Sequence, residues 1–215
     1  MLGSPVDMEL FYGRTQGNSA RAAFALFETG SSWLPRLVDW RQGGNRSTDY
    51  LVLNPMGKIP VLTDGDFVLW ESNAINWYVA EKYPAARLLP HSLGGRAAVQ
   101  RWQFFQAGHV TPACFPIIRA TNPHVPEPMR VKHDAPAVTA ARRDLARYLA
   151  VLDSALEGRE WLEEAFSLAD LAYAPHLSMI AEGGFDFAPY PALRAWLERL
   201  LERPAWRKTA ELIWG

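Results

Sequence analysis

The apolar positions of this chain change character near residue 84. Before it they come in short runs separated by turn residues; after it they recur at helical steps of three and four. Residues 9–12, Glu-Leu-Phe-Tyr, read as a first strand. Ser19 is the expected N-cap of a helix over 20–29, with Ala22, Ala23, Leu26 and Phe27 on one face and Gly30 as its stop. Residues 34–39, or the part after Pro35, predict a second strand. The polar, Gly-rich stretch 41–48 predicts no buried face, and 49–53 predicts a short helical turn. Asn54-Pro55 and Met56-Gly57 then punctuate the chain as turns. A strand is expected over 59–62, a hairpin turn at Thr63-Asp64-Gly65-Asp66, and a return strand over 67–70. Ser72 is the expected N-cap of a helix running to about residues 83–84. Proline has no N–H, so the strand holding Pro60 must lie at an edge or carry a break, and Ile59-Pro60 is a candidate cis peptide.

Residues 84–95, rich in Pro, Gly and small side chains, read as a linker. Beyond it every strong signal is helical. A helix over 96–119 carries Val99, Trp102, Phe104 and Phe105, with Pro112 and Pro116 expected to kink or interrupt it. Residues 121–136 form a proline-rich loop. A helix over 137–157 buries Leu145, Leu149, Leu152 and Leu156 and ends at Gly158. Ser167-Leu-Ala-Asp170 is a capping-box pattern opening a helix with Leu171, Ala174, Leu177 and Ile180. Residues 191–202 form a further helix, and a last short one follows Arg203-Pro204. The expected domains are therefore 8–84 and 92–215, with no internal repeat. Residues 1–7 read as an unstructured leader.

Composition narrows the function classes. The net charge of −1 over 215 residues gives no electrostatic reason to bind nucleic acid or an anionic membrane surface. No apolar run is long enough to span a bilayer. The single Cys114 excludes an internal disulfide and suits a cytoplasmic location; in its apolar context it is read as a packing residue. Nine Trp are assigned to core and interface packing. The histidines lack metal-ligand spacing, so no metal is expected. There is no phosphate loop, dinucleotide fingerprint or Ser-His-Asp arrangement.

The stretch Asn54-Pro-Met-Gly-Lys-Ile-Pro-Val-Leu62, followed by Leu69-Trp-Glu-Ser72, resembles the second half of the thioredoxin-like domain of cytosolic glutathione S-transferases, of a bacterial type. The resemblance implies an α/β N-terminal domain of βαβ-ββα order and an all-α C-terminal bundle. It implies glutathione as co-substrate: Ile59, ahead of a cis Pro60, would pair its backbone with the cysteinyl part, and Glu71 and Ser72 would hold the γ-glutamyl end. Lys58, and Arg41 or Gln42 from the loop after the second strand, would meet the glycyl carboxylate.

The implied chemistry needs a thiolate, whereas a free thiol of pKa about 8.5 is only a few per cent ionised at neutral pH. A donor at a helix N-terminus stabilises S⁻ by hydrogen bonding and by the dipole. The first helix begins near Asn18-Ser19. Asn18 falls where Cys-type and Asn-type family members carry their residue, and Gln16 where plant Ser-type members carry theirs. Asn18 ranks first as donor, then Ser19, with Thr15 and Tyr12 behind. Read without the resemblance, Ser19 is a plain N-cap and Asn18 a turn residue. No Cys stands there, which argues against a thiol–disulfide mechanism. Phe105, His109 and Arg119, with Trp214 nearby, are the candidates for an apolar electrophile's pocket. The family resemblance further implies a homodimer and a role in detoxification, by conjugation or by reduction of organic hydroperoxides. A non-catalytic, glutathione-binding scaffold on the same fold is the rival reading; reductive dehalogenation or isomerisation on this fold is a third.

Overall fold

A computed structural model describes residues 7–215; residues 1–6, most of the expected leader, lie outside the described residues. The described chain divides into two compact units, residues 7–87 with 204–215, and residues 88–203. The division falls inside the stretch read as a linker. The last helix, expected in the second domain, belongs instead to the first unit.

In the first unit, β1 (Met8–Tyr12) leads to α1 (Gly17–Thr29), β2 (Leu34–Leu37) and α2 (Thr48–Leu53); β3 (Val61–Asp64), β4 (Phe67–Trp70) and α3 (Ser72–Lys82) follow. The sheet order is β2-β1-β3-β4. β1 runs parallel to β2, with Tyr12 opposite Leu37, and antiparallel to β3, which is antiparallel to β4. This is the expected mixed plan. β3 is central, however, not an edge strand. The sheet tolerates Pro60 because the ladder starts one residue later, at Val61 opposite Phe11 and Trp70, and Ile59-Pro60 is cis as expected.

α1 is buried on nearly every side: Ala20, Ala22, Ala23, Phe24, Ala25 and Leu26 are all fully inaccessible. Its run of alanines lets other backbones approach, and it packs against both α3 and α10 (Pro204–Trp214). Phe24 meets Trp206 of α10 edge-on, with ring centroids 5.3 Å apart. Burying side chains such as Leu10, Leu26, Leu62 and Ile75 contributes about 1.5–3 kcal/mol each. Gly30 ends α1 at φ 65°, a conformation open to glycine at no steric cost.

The second unit is helical: α4 (Leu93–Phe105), α5 (Thr111–Thr121), α6 (Pro136–Leu156), α7 (Leu168–Leu171), α8 (Ala174–Glu182) and α9 (Pro191–Glu202). α6 buries the stripe read from the sequence, Leu145, Leu149, Leu152 and Leu156, together with Val138 and Ala141. The helix expected over 96–119 is broken by a π-helical turn at Gln106–Val110. Pro112 stands just after this turn, and its missing N–H and its ring both fall on residue 108 inside it, whereas Pro116 lies within α5. The helix expected from Ser167 onward also divides, because Pro175 can neither donate to residue 171 nor avoid its carbonyl.

The capping box forms as expected. Ser167 Oγ accepts from the Ala169 N–H (3.2 Å), and Asp170 accepts from the Ser167 N–H (3.0 Å). Asp170 also accepts from the Leu162 N–H and from Trp196 Nε1, both at 2.9 Å. Burial raises its carboxyl to about 6 against these donors, which pull the other way.

Candidate active site

Topology gathers the site. Tyr12 and Leu37 end the parallel strands β1 and β2 side by side. β3 begins and β4 ends at that same edge, because Val61 pairs with both Phe11 and Trp70. The segments 13–19, 40–42, 58–60 and 71–72 therefore issue from one end of the sheet, the carboxyl end of β1, the usual place for ligands in open α/β sheets.

Gly13 allows three of these segments to meet. A Cβ there would stand 2.9 Å from Trp40 Cδ1, 3.0 Å from Gln16 Cγ and 3.3 Å from Ile59 Cδ1, so only glycine fits without displacing a neighbour. α1 then starts at Gly17, after the loop 13–16, with Gln16 as N-cap and no side-chain cap. Ser19 is therefore not the cap it was expected to be. It sits inside the first turn, wholly buried, with its hydroxyl accepting from the Gly13 N–H at 3.0 Å. It ties helix to loop. Asn18 is half-buried beside it, while Tyr12 is buried at the strand end.

The residue missed by sequence reasoning is Arg21. It is 3% exposed, and its Nη1 donates to Asn18 Oδ1 and to Ser72 Oγ, both at 2.8 Å. One buried cation thus joins the start of α1 to the start of α3. Asn18 and Arg21 are i,i+3 neighbours on a helix, so a charged residue in an alanine run was a visible signal; its second partner, 51 residues away, was not. Because Arg21 engages the amide oxygen of Asn18, the NH₂ group is the end left to donate.

Ser72 was expected as the N-cap of α3 but is its first helical residue; the cap position is Glu71, at φ 71° and ψ 110°. A non-glycine residue at positive φ is uncommon and concentrates at functional sites. Thr15 is another, at φ 58°. Glu71 is exposed and Ser72 buried.

The 55–58 turn is stapled from below. The Lys58 carbonyl accepts from Tyr50 Oη and Asn54 Nδ2, both at 2.8 Å, and the Gly57 carbonyl from Asn45 Nδ2 at 2.7 Å. Burial pushes the Tyr50 hydroxyl well above the usual phenol range, which keeps it a donor. This leaves the Lys58 side chain exposed and sets Ile59 just ahead of the sheet ladder. Arg41 and Gln42 are exposed on the opposite segment, where Arg41 lies 5.5 Å over the Trp40 ring. The structure thus brings Asn18, Ser19, Thr15, Gln42, Lys58, Ile59, Pro60, Glu71 and Ser72 to one sheet edge.

In the second unit, Phe105 and His109 form a ring cluster with Tyr148, with centroid distances of 5.4 to 5.8 Å. His109 and Tyr148 also line a shallow concavity of about 290 Å³ floored by Ala113, Ala137 and Ala141. Arg119 is not part of that cluster. It lies ten residues beyond His109, about 15 Å along a helix, and its Nε donates to the Met129 carbonyl at 2.7 Å. Trp214 belongs to the first unit, against Trp206. Among the described residues no group of three or more His, Cys, Asp or Glu side chains could hold a metal ion, and no helix is long and apolar enough to cross a membrane.

Known proteins resemble both units. Residues 6–81 match the family model "Glutathione S-transferase, N-terminal domain", and residues 106–204 match "Glutathione S-transferase, C-terminal domain". Glutathione S-transferase GstB of Escherichia coli (strain K12) is 30% identical over 205 residues, covering 94% of this chain and 97% of the relative. Among solved structures, glutathione transferase URE2P8 from Phanerochaete chrysosporium, crystallised with oxidised glutathione, is 29% identical. It superposes with a TM-score of 0.84 over 98% of this chain and 96% of its own. The theta class enzyme from Xanthomonas axonopodis pv. citri, with glutathione bound, is 29% identical with a TM-score of 0.85, over 94% and 96% of the two chains. With a family match over each unit and relatives aligned along nearly the whole chain, this protein is an enzyme of the glutathione S-transferase family.

Proposed function

We propose that the protein binds glutathione at the carboxyl end of β1 and ionises its thiol through the Asn18 amide, for transfer to an apolar electrophile. One observation carries this reading: Arg21 engages Asn18 Oδ1 and Ser72 Oγ together. The donor at the thiol end and the hydroxyl at the γ-glutamyl end then share one rigid support.

In this reading the γ-glutamyl carboxylate meets Ser72 Oγ and the helix start of α3, and Glu71 takes the α-ammonium. The main chain of Ile59, ahead of the ladder, pairs with the cysteinyl backbone. Lys58, with Arg41 or Gln42, takes the glycyl carboxylate. Asn18 Nδ2 and the unpaired N–H groups of the first turn of α1 face the sulfur, where hydrogen bonding and the dipole favour S⁻. Ser19, whose hydroxyl accepts from Gly13, shapes the loop rather than the sulfur's surroundings, and the buried Tyr12 supports the strand end. The thiolate attacks the electrophile's carbon, the S–C bond forms, and the leaving group or conjugate acceptor takes the displaced electron pair. Reduction of an organic hydroperoxide starts from the same thiolate. Phe105 and His109 supply the apolar surface for the electrophile.

The exposed Phe67 and Trp70 in the first unit, and Leu93 and Phe104 in the second, are apolar surface suited to a two-fold dimer. In this reading the role is cytoplasmic and detoxifying, which the family relationship supports. Calorimetric titration with reduced glutathione, followed by ultraviolet difference absorbance of the bound thiolate against pH, tests the proposal. Binding with the thiolate persisting below the free thiol's pKa supports an enzyme. Binding without ionisation supports the scaffold reading, and no binding at millimolar ligand refutes the site.

A further inference from the structure

Building on that reading, we infer that the carbonyl end of α10 is a positioning element of the thiol site, holding the loop that aims the first turn of α1. The single peptide group joining Arg14 to Thr15 is gripped on both sides. Its N–H donates to the Ile213 carbonyl at 3.0 Å, and its C=O accepts from Trp40 Nε1 at 2.9 Å. Arg14 Nη1 adds a bond of 2.6 Å to the Gly215 carbonyl. The last carbonyls of a helix have no partner within it and carry the negative end of its dipole; here the Thr15 N–H satisfies that of Ile213, and the Arg14 guanidinium holds the residue just beyond the helix.

The grip has a cost to hold against. Thr15 is β-branched and sits at φ 58°, a conformation such residues strongly disfavour. Its hydroxyl turns back on the Arg14 carbonyl at 2.7 Å, and Arg41 Nη2 reaches the same hydroxyl oxygen at 3.4 Å. Only the short loop 13–16 separates β1 from α1. If the peptide turned over, Thr15 would relax to negative φ and carry Gln16, Gly17 and Asn18 with it. Ile213 is wholly buried and Trp206 packs on Phe24, so α10 is fixed at both ends of its length. The donor at the sulfur therefore depends, through the main chain, on a helix about 200 residues further along the sequence. Thr15, a candidate glutathione contact by sequence, becomes the strained joint of this latch.

The test compares the full chain with a chain lacking residues 213–215, with the full-length Trp40→Phe variant, which keeps the ring's bulk and loses its donor, and with Thr15→Asn placed in the shortened chain. Asn accepts positive φ far more readily than Thr. Two readouts are taken: the pH midpoint of thiol ionisation in bound glutathione, and the Kd of S-methylglutathione, which cannot ionise. The expected result in the shortened chain is a midpoint about one pH unit higher and kcat/KM at pH 6.5 about tenfold lower, with S-methylglutathione affinity held within about twofold. Trp40→Phe moves the midpoint in the same direction, and Thr15→Asn restores it in the shortened chain. An unmoved midpoint in both Trp40→Phe and the shortened chain overturns the inference, as does a loss of S-methylglutathione affinity equal to the loss of ionisation, or failure of Thr15→Asn to rescue. Trp40→Phe keeps the question answerable if the shortened chain does not fold. Failure of the full chain itself to ionise bound glutathione would instead refute the proposed function.

Discussion

Replacing Asn18 by Ala and, separately, by Asp separates a donor to sulfur from a mere loop residue. The wild-type amide oxygen is engaged by Arg21 at 2.8 Å, so the NH₂ end faces away from that cation. A hydrogen bond to a charged acceptor is worth about 1.5–3 kcal/mol. At about 1.4 kcal/mol per pH unit, its loss in Asn18→Ala raises the bound thiol by one to two units. Below neutrality kcat/KM for an activated aryl halide then falls by about tenfold to a hundredfold, in proportion to the thiolate fraction. Above the new midpoint both enzymes hold a thiolate, and their rates converge. Asn18→Asp keeps, and strengthens, the contact with Arg21. It also puts an anion where the donor was, so its midpoint rises further than that of Ala. The assay is a pH–rate profile from 5.5 to 9.5 paired with thiolate absorbance. A midpoint for Asp at or below that of Ala, or rates that stay apart at high pH, would refute the donor role.

Further outcomes rest on named contacts. Arg21→Met removes both bonds to the site while filling similar volume; glutathione KM rises about tenfold or more and thiol ionisation moves up with it, checked by the same profile. Gly13→Ala places a methyl 2.9 Å from Trp40 Cδ1 and 3.0 Å from Gln16 Cγ; overpacking of this kind costs about 1–3 kcal/mol, visible in urea unfolding together with a raised glutathione KM. Asp170→Ala orphans the buried donors of Leu162, Ser167 and Trp196 and should cost about 3 kcal/mol or more of stability, with wild-type kinetics in whatever protein remains folded. Asp170 also has a pH signature. Its folded pKa of about 6 lies above the ordinary 3.8, so the folded state binds the proton more tightly. Its contribution is complete below about pH 4 and is lost as pH rises through 6, about 3 kcal/mol in all. Relative to Asp170→Asn, the wild-type protein should therefore lose stability between pH 4 and 6.5, and a parallel pH dependence of the two would contradict this.

Periodicity and punctuation made most of this fold legible. The leucine stripe of α6, the Ser167–Asp170 box and the Gly30 stop are local signals whose partners lie within a few residues, and each formed as read. The shared edge of Ile59-Pro60 and Glu71-Ser72 was legible for another reason: a short turn and a two-strand hairpin leave little freedom in where their ends lie. What escaped was tertiary. Arg21 needs Ser72 to acquire its meaning, and no spacing rule links positions so far apart. Ser72 slipped from cap to first helical residue because Glu71 adopts a backbone conformation that sequence preference speaks against. The amphipathic pattern of α10 announces a buried face, with Trp206, Thr209 and Ile213 inward, but not which neighbour covers it. Proline was a visible signal for an interruption of the helix over 96–119 but not for its form, a π turn just ahead of Pro112.

That break, the π turn at Gln106–Val110, behaves like a single residue spliced into an otherwise continuous rod. Each α-helical residue advances the azimuth by about 100°. The wider turn absorbs one extra residue without rotating α5 by that amount. Winding the same residues as ordinary α-helix would turn every side chain of α5 by more than a quarter circle, taking Cys114, Ile117 and Ile118 out of the core they now fill, whereas excising one residue of the turn, such as Gly108, would give an uninterrupted α-helix with that face kept. The turn thus acts as a phase corrector between two apolar stripes that are out of step in sequence. Such a corrector is a device of length: it lets one more residue stand between the two stripes than an α-helix would allow, and losing that residue would make the corrector itself unnecessary.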